Sequence, residues 1–144
     1  MFGIIVGTHG EFAKGIVQSC EMIYGKRDKL KAVTLVPGEG PDDVVAKYEK
    51  AIKELGTEKI LFLNDLMGGS PYNAACRLVA TNENYGIVAG VNLPMLIAMS
   101  SAQDMNDDSV TLAELMEQAA TAGKDGTTIS SYESLNTADE EDEL

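Results

Sequence analysis

Gly3-Ile4-Ile5-Val6-Gly7-Thr8-His9-Gly10 opens the chain as an apolar run that ends in small residues and the protein's one histidine. Residues 3–7 show no alternation of apolar and polar side chains, which predicts a strand covered on both faces. Such strands belong to parallel sheets flanked by helices. The histidine deciding this stretch stands where the strand gives way to a turn. Histidine is also the side chain whose ordinary pKa, about 6.5, lies nearest neutrality.

The same pattern repeats downstream. A helix is expected from about Glu11 to Tyr24, with Phe12, Ile16, Cys20 and Ile23 at helical spacing and Gly25 as its stop. Leu30–Val36 reads as strand two, ended by Pro37-Gly38-Glu39-Gly40. Pro41, Asp42 and Asp43 suit the first turn of a second helix, whose stripe is Val44, Val45, Tyr48, Ile52 and Leu55. Lys59–Asn64 is strand three, and Asp65-Leu66-Met67-Gly68-Gly69-Ser70 is its exit loop. Ser70 is expected to cap a helix from Pro71 to about Thr81. Tyr85–Val91 is strand four, and Asn92-Leu93-Pro94 starts a helix to about Ala102. Thr111-Leu112-Ala113-Glu114 has the form of a capping box for a last helix to about Ala122, with Gly123 as its stop. Thr127–Ser130 is expected as a short edge strand.

Four strand–helix repeats predict a single α/β domain over residues 1–130, a mostly parallel open sheet with helices on both faces. Its 44% apolar content is ordinary for a globular chain of 144 residues. No apolar run reaches the roughly 18 residues of a membrane helix, and Met1-Phe2-Gly3-Ile4 lacks the basic start of a signal peptide. Cys20 and Cys76 fall inside expected helices and suit reduced, buried thiols. A cytoplasmic protein is expected. The net charge of −12 argues against nucleic-acid binding. Half of it lies in residues 131–144, through Glu133, Asp139, Glu140, Glu141, Asp142 and Glu143. That acidic tail is expected to be disordered.

In an open parallel sheet, sites form beyond the carboxyl ends of the strands, where strand order reverses. With the order 2-1-3-4, strands one and three are neighbours, and His9 faces Asp65 across that crevice. The carboxylate would fix the imidazole tautomer and leave the other ring nitrogen free to attack. Gly10, Gly68 and Gly69 admit close backbone approach, and Ser70 opens a helix whose first N–H groups suit an anion. A nucleophilic histidine beside an anion-holding loop suggests phosphoryl transfer through a phosphohistidine. No metal is expected, because one histidine and two distant cysteines make a poor ligand set. Neither a dinucleotide fingerprint, a P-loop nor a nucleophile elbow is present.

Four segments then carry a resemblance, in order and in register. They are Ile4-Ile5-Val6-Gly7-Thr8-His9-Gly10, Val36-Pro37-Gly38-Glu39, Leu63-Asn64-Asp65 leading to Gly68-Gly69-Ser70-Pro71-Tyr72-Asn73-Ala74-Ala75, and Ala89-Gly90-Val91-Asn92-Leu93-Pro94-Met95-Leu96. The chain resembles the enzyme IIA component of mannose-type sugar phosphotransferase systems. The resemblance implies that His9 accepts a phosphoryl group at Nε2 from the histidine phosphocarrier protein HPr and passes it to a IIB component. Asp65 would hold Nδ1, and no cofactor is implied. It also implies a homodimer that exchanges a C-terminal strand, here near Thr127–Ser130, antiparallel onto the partner's sheet. Association with the membrane components IIC and IID would be indirect, and IIB is expected as a separate polypeptide.

Leu66 and Met67 stand where the family often has Thr-Trp, so the backbone must supply any contact from that hydroxyl. Leu66, Met67, Phe12 and Leu93 are candidates for an exposed apolar rim. Two other readings stay open at this point. One is a phosphorylation-state regulator, for example of a dihydroxyacetone kinase system. The other is a small-molecule hydrolase or binding module using the same crevice.

Overall fold

The continuous apolar strands lie where both of their faces are covered. The computed structural model describes residues 1–142. In chain order the elements are β1 (Phe2–His9), α1 (Phe12–Tyr24), β2 (Leu30–Leu35), α2 (Pro41–Leu55) and β3 (Lys59–Asn64). There follow α3 (Ser70–Val79), β4 (Tyr85–Ala89), α4 (Leu93–Met105), α5 (Leu112–Asp125) and α6 (Tyr132–Asp142). The sheet order is β2-β1-β3-β4, and every pair is parallel. β1 and β3 are therefore adjacent at the centre, as the sequence predicts.

Alternation within each strand divides the core into two layers. Ile4, Val6, Leu61 and Leu63 pack with Ala13, Ile16 and Cys20 of α1, Leu96 and Met99 of α4, and Leu115 and Ala119 of α5. Ile5, Ile60 and Phe62 face the other way, onto Val44, Tyr48 and Leu55 of α2 and Ala74 and Ala75 of α3. Both faces of the sheet are thus apolar, which is why these strands show no alternation in sequence.

Helix starts follow the polar chemistry of their first turns. The Asp43 carboxylate accepts the Gly40 N–H at 2.9 Å, and Pro41 begins α2. Asn92 accepts the Met95 N–H at 3.0 Å and Thr111 the Glu114 N–H at 3.1 Å, capping α4 and α5. Gly69, not Ser70, is the cap of α3, and Ser70 is its first residue. Gly123 does not stop α5 but lies inside it. A Cβ there would come within 2.8 Å of the Met95 side chain, so its smallness serves the packing of α5 on α4.

The two sheet edges differ. At β2, Lys47 of α2 donates to the carbonyl of Thr34 at 2.8 Å and to Glu39 at 2.6 Å. At β4, no strand lies against the outer edge among the described residues. The expected fifth strand at Thr127–Ser130 is not formed in the single chain. Those residues are exposed and lack regular structure, because a lone edge segment has no ladder to join. Nor is the start of the tail disordered. Ser131 and Ser134 exchange backbone-to-hydroxyl bonds at 2.8 and 3.1 Å and start α6. Residues 143–144 lie outside the described residues. Among those described, no helix is long and apolar enough to cross a membrane.

Candidate functional site

Parallel pairing sets the site. Gly7 of β1 is in register with Asn64 of β3, so the next residues of each strand emerge side by side at the carboxyl end. His9 is the last residue of β1 itself, and Asp65 is the first residue after β3. Asp65 Oδ2 accepts both the His9 backbone N–H at 3.0 Å and the ring Nδ1–H at 2.7 Å. Its other oxygen accepts the Leu66 N–H at 3.0 Å. With three donors on two oxygens, the carboxylate has little freedom to turn.

Burial by itself would raise the Asp65 carboxyl. The His9 backbone and ring N–H groups, together with the Leu66 amide, more than offset it and hold the pKa below the usual carboxylate range. Asp65 is thus an ionised acceptor at neutral pH, and Nδ1 must carry the ring proton. The Nε2 lone pair is left outward. The His9 side chain is 45% exposed against 12% for Asp65, so the reactive edge is open while its support is enclosed.

The exit loop of β3 passes under that edge. A Cβ built on Gly69 would stand 2.5 Å from His9 Cε1 and 3.0 Å from Nε2, so only hydrogen fits there. The N–H groups of Gly68, Gly69 and Ser70 have no acceptor among the described residues. They stand at the positive end of the α3 dipole, within the first turn, where such groups favour an anion. Asn73 steadies the loop by donating to the Gly68 carbonyl at 3.3 Å. Gly10 does not belong with these donors. Its N–H is taken by the Leu35 carbonyl at 2.7 Å, and its φ of 56° turns the chain from β1 into α1.

Of the four rim candidates, Leu66, Met67 and Phe12 are 51%, 74% and 49% exposed. Leu93 is half-buried against the α4 side of the core. Cys20 is buried with its sulfur 3.6 Å from Ser100 Oγ, and Cys76 is only half-buried; both are free thiols. No group of three or more His, Cys, Asp or Glu residues suited to a metal occurs among the described residues. The hollow bounded by Met1, Phe2, Met105 and Leu115 lies at the amino-terminal end of β1, away from His9.

Three residues near the site went unassigned in the sequence reading. Thr8 Oγ1 accepts the Ala13 N–H at 2.7 Å and so pins the first turn of α1 onto β1. Asn64 and Tyr48 form a buried pair behind the loop, with Asn64 Nδ2 donating to the Tyr48 hydroxyl at 3.0 Å. An asparagine ending the apolar run Ile60-Leu61-Phe62-Leu63 was the signal available for that pair.

The model of the family described as "PTS system fructose IIA component" matches residues 3–120. The mannose-specific EIIAB component of Escherichia coli K12 is 39% identical over 124 residues, or 85% of this chain. The chain spans only 38% of that relative's length. The sorbose-specific EIIA component of Lacticaseibacillus casei is 30% identical over 96% of this chain and 98% of its own. A crystal structure of a phosphotransferase system EIIA from Streptococcus agalactiae superposes with a TM-score of 0.80 at 27% identity, covering 90% of this chain and 97% of that one.

Proposed function

This chain belongs to the mannose-type enzyme IIA family of sugar phosphotransferase systems, and we propose that it carries phosphate on His9 Nε2 from HPr to a IIB component. The observation that carries the reading is the 2.7 Å bond from Nδ1–H to Asp65, which leaves Nε2 as the nucleophile beside unpaired amides. In the acceptance step the Nε2 lone pair attacks the phosphorus on the donor's histidine. The donor P–N bond breaks, its electron pair returns to the donor ring, and a new P–N bond forms at Nε2. The ring then bears positive charge, which the Asp65 carboxylate offsets. The Gly68, Gly69 and Ser70 N–H groups face the phosphoryl oxygens. Transfer to IIB is the same step reversed onto another nucleophile.

Such a carrier needs a shallow site, since two proteins must reach one nitrogen in turn. The exposed Phe12, Leu66 and Met67 supply an apolar rim for both. The protein acts in the cytoplasm, and its link to the membrane components IIC and IID runs through IIB. Incubation with phosphoenolpyruvate, Enzyme I and HPr should add the mass of one phosphoryl group, labile in acid and stable in base. An unlabelled chain under those conditions would end this reading.

The working unit is a homodimer in which Thr127–Ser130 of each chain pairs with the β4 edge of the other. Two features support it: the outer edge of β4 is uncovered, and Ile129 is 92% exposed. Truncation before Thr127 should convert a sedimenting dimer to a monomer. Equal sedimentation of the two chains would contradict the exchange.

A further inference from the structure

Tyr48 lies in the apolar stripe of α2 and is fully buried, yet its phenol is not idle. The hydroxyl donates to the Pro71 carbonyl in the first turn of α3 at 2.8 Å. It accepts from Asn64 Nδ2 at 3.0 Å, and the same Nδ2 donates to the Gly7 carbonyl of β1 at 2.9 Å. The phenol reaches this point only because residue 7 is glycine, since a Cβ there would fall on the Tyr48 oxygen. Four elements therefore meet in one buried chain of hydrogen bonds. They are β1 two residues before His9, β3 one residue before Asp65, α2, and α3 two residues after Gly69.

We infer that Tyr48 is a positioning residue of the phosphoryl-transfer site, its hydroxyl fixing the distance between the His9–Asp65 pair and the first turn of α3. The inference rests on the carrier reading. The logic is mechanical: β1 and β3 are tied by the sheet, but the turn that holds Gly69 under Nε2 belongs to a separate helix. Side-chain packing places α3 only to the tolerance of apolar contacts. A directional bond from Tyr48 to Pro71 narrows that tolerance at the one point where it matters. Burial and the neighbouring Asp65 charge raise the phenol's pKa, partly offset by the Asn64 bond, so it keeps its proton and stays a donor. A displacement of about 1 Å at such a site slows reaction up to about a hundredfold, and loss of one anchor is a fraction of that.

The test is Tyr48→Phe in the full chain, which keeps the ring on Phe62 at a centroid distance of 4.9 Å and removes only the hydroxyl. Its comparison is Val33→Ala, another buried change in the same layer, beside Gly7 on β2, that leaves every hydrogen-bonding group of this chain in place. Two donors are used: phospho-HPr, and potassium phosphoramidate, which phosphorylates histidine without a partner as its P–N bond breaks and ammonia leaves. With Tyr48→Phe, kcat from phospho-HPr should fall about tenfold with KM for HPr unchanged. The phosphoramidate rate should fall by the same factor. Val33→Ala should leave both rates near wild type.

A folded Tyr48→Phe chain with wild-type rates overturns the inference, and so does a slowing no greater than that of Val33→Ala. Should Tyr48→Phe melt below the assay temperature, Asn64→Ala, which breaks the tie to Gly7, carries the same expectations. A wild-type chain phosphorylated by phosphoramidate but not by phospho-HPr would remove the carrier reading alone. The phosphoramidate rates of the variants would then decide the role of Tyr48.

Discussion

A chain with alanine at position 9 is expected to take up no phosphate from phospho-HPr while melting within a few degrees of the wild type. The first half follows from chemistry, since His9 is the one histidine in the protein and no other group there offers a neutral nitrogen lone pair. The second half follows from how Asp65 is held. Alanine retains the backbone N–H that Asp65 Oδ2 accepts, and the Leu66 amide still occupies Oδ1. Only the ring bond is lost, from a side chain that is nearly half exposed. Exposed pairs of this kind contribute about 0–1 kcal/mol. Intact-mass measurement and a thermal melt check both halves together. A phosphorylated His9→Ala chain would place the acceptor elsewhere, and a collapse in stability would make the imidazole structural.

Asp65→Asn is expected to slow transfer by up to about 10⁴-fold, the loss that follows when the orienting carboxylate of a histidine-based site becomes an amide. The shapes match, so the argument lies in donors and acceptors. Asp65 accepts three N–H bonds on two oxygens. Asparagine has one acceptor oxygen. Turned toward His9, its oxygen leaves an NH2 facing the Leu66 amide. Turned the other way, the NH2 meets Nδ1 and the His9 amide. That second arrangement drives the ring proton to Nε2 and removes the nucleophile. Either way one backbone N–H loses its acceptor, which costs about 0.5–1.5 kcal/mol.

The pH dependence gives a further check on the same variant. A carboxyl whose folded pKa is lowered stabilises the fold above its unfolded value, about 3.9, and that stabilisation is lost as pH falls through the folded value. Asparagine has nothing to titrate. The gap in melting temperature between wild type and Asp65→Asn should therefore close in acid, below about pH 4. A gap that stays constant through that range would mean the carboxyl is not held low by its donors.

The architecture was legible because burial on both faces leaves a mark in the strands. Ile4 to Val6 and Ile60 to Leu63 are apolar without interruption, and only a sheet covered twice requires that. The pairing of His9 with Asp65 followed from the strand order, since parallel neighbours deliver their next residues to one crevice. What failed to read through depended on tertiary contact. Tyr48 has the spacing of a core residue and is one, but its hydroxyl finds partners 16 and 23 residues away. Gly10 lost its place among the anion donors to the Leu35 carbonyl on a neighbouring strand. Gly123 looked like a stop because the Met95 side chain it accommodates was out of view. At Ser131 the signal was local and present, two serines three apart, but it was outweighed by the acidic block behind it.

The lysine on the β2 edge has a consequence for assembly. A chain whose sheet offers two adhesive borders can add neighbours on both sides and grow into an open fibre. Here one border has its outward carbonyl at Thr34 already engaged by Lys47. Under the strand exchange proposed above, the β4 border recruits the partner's segment, while Lys47 disfavours a second pairing at β2. Pairing of that kind would saturate at two copies instead of growing into a fibre.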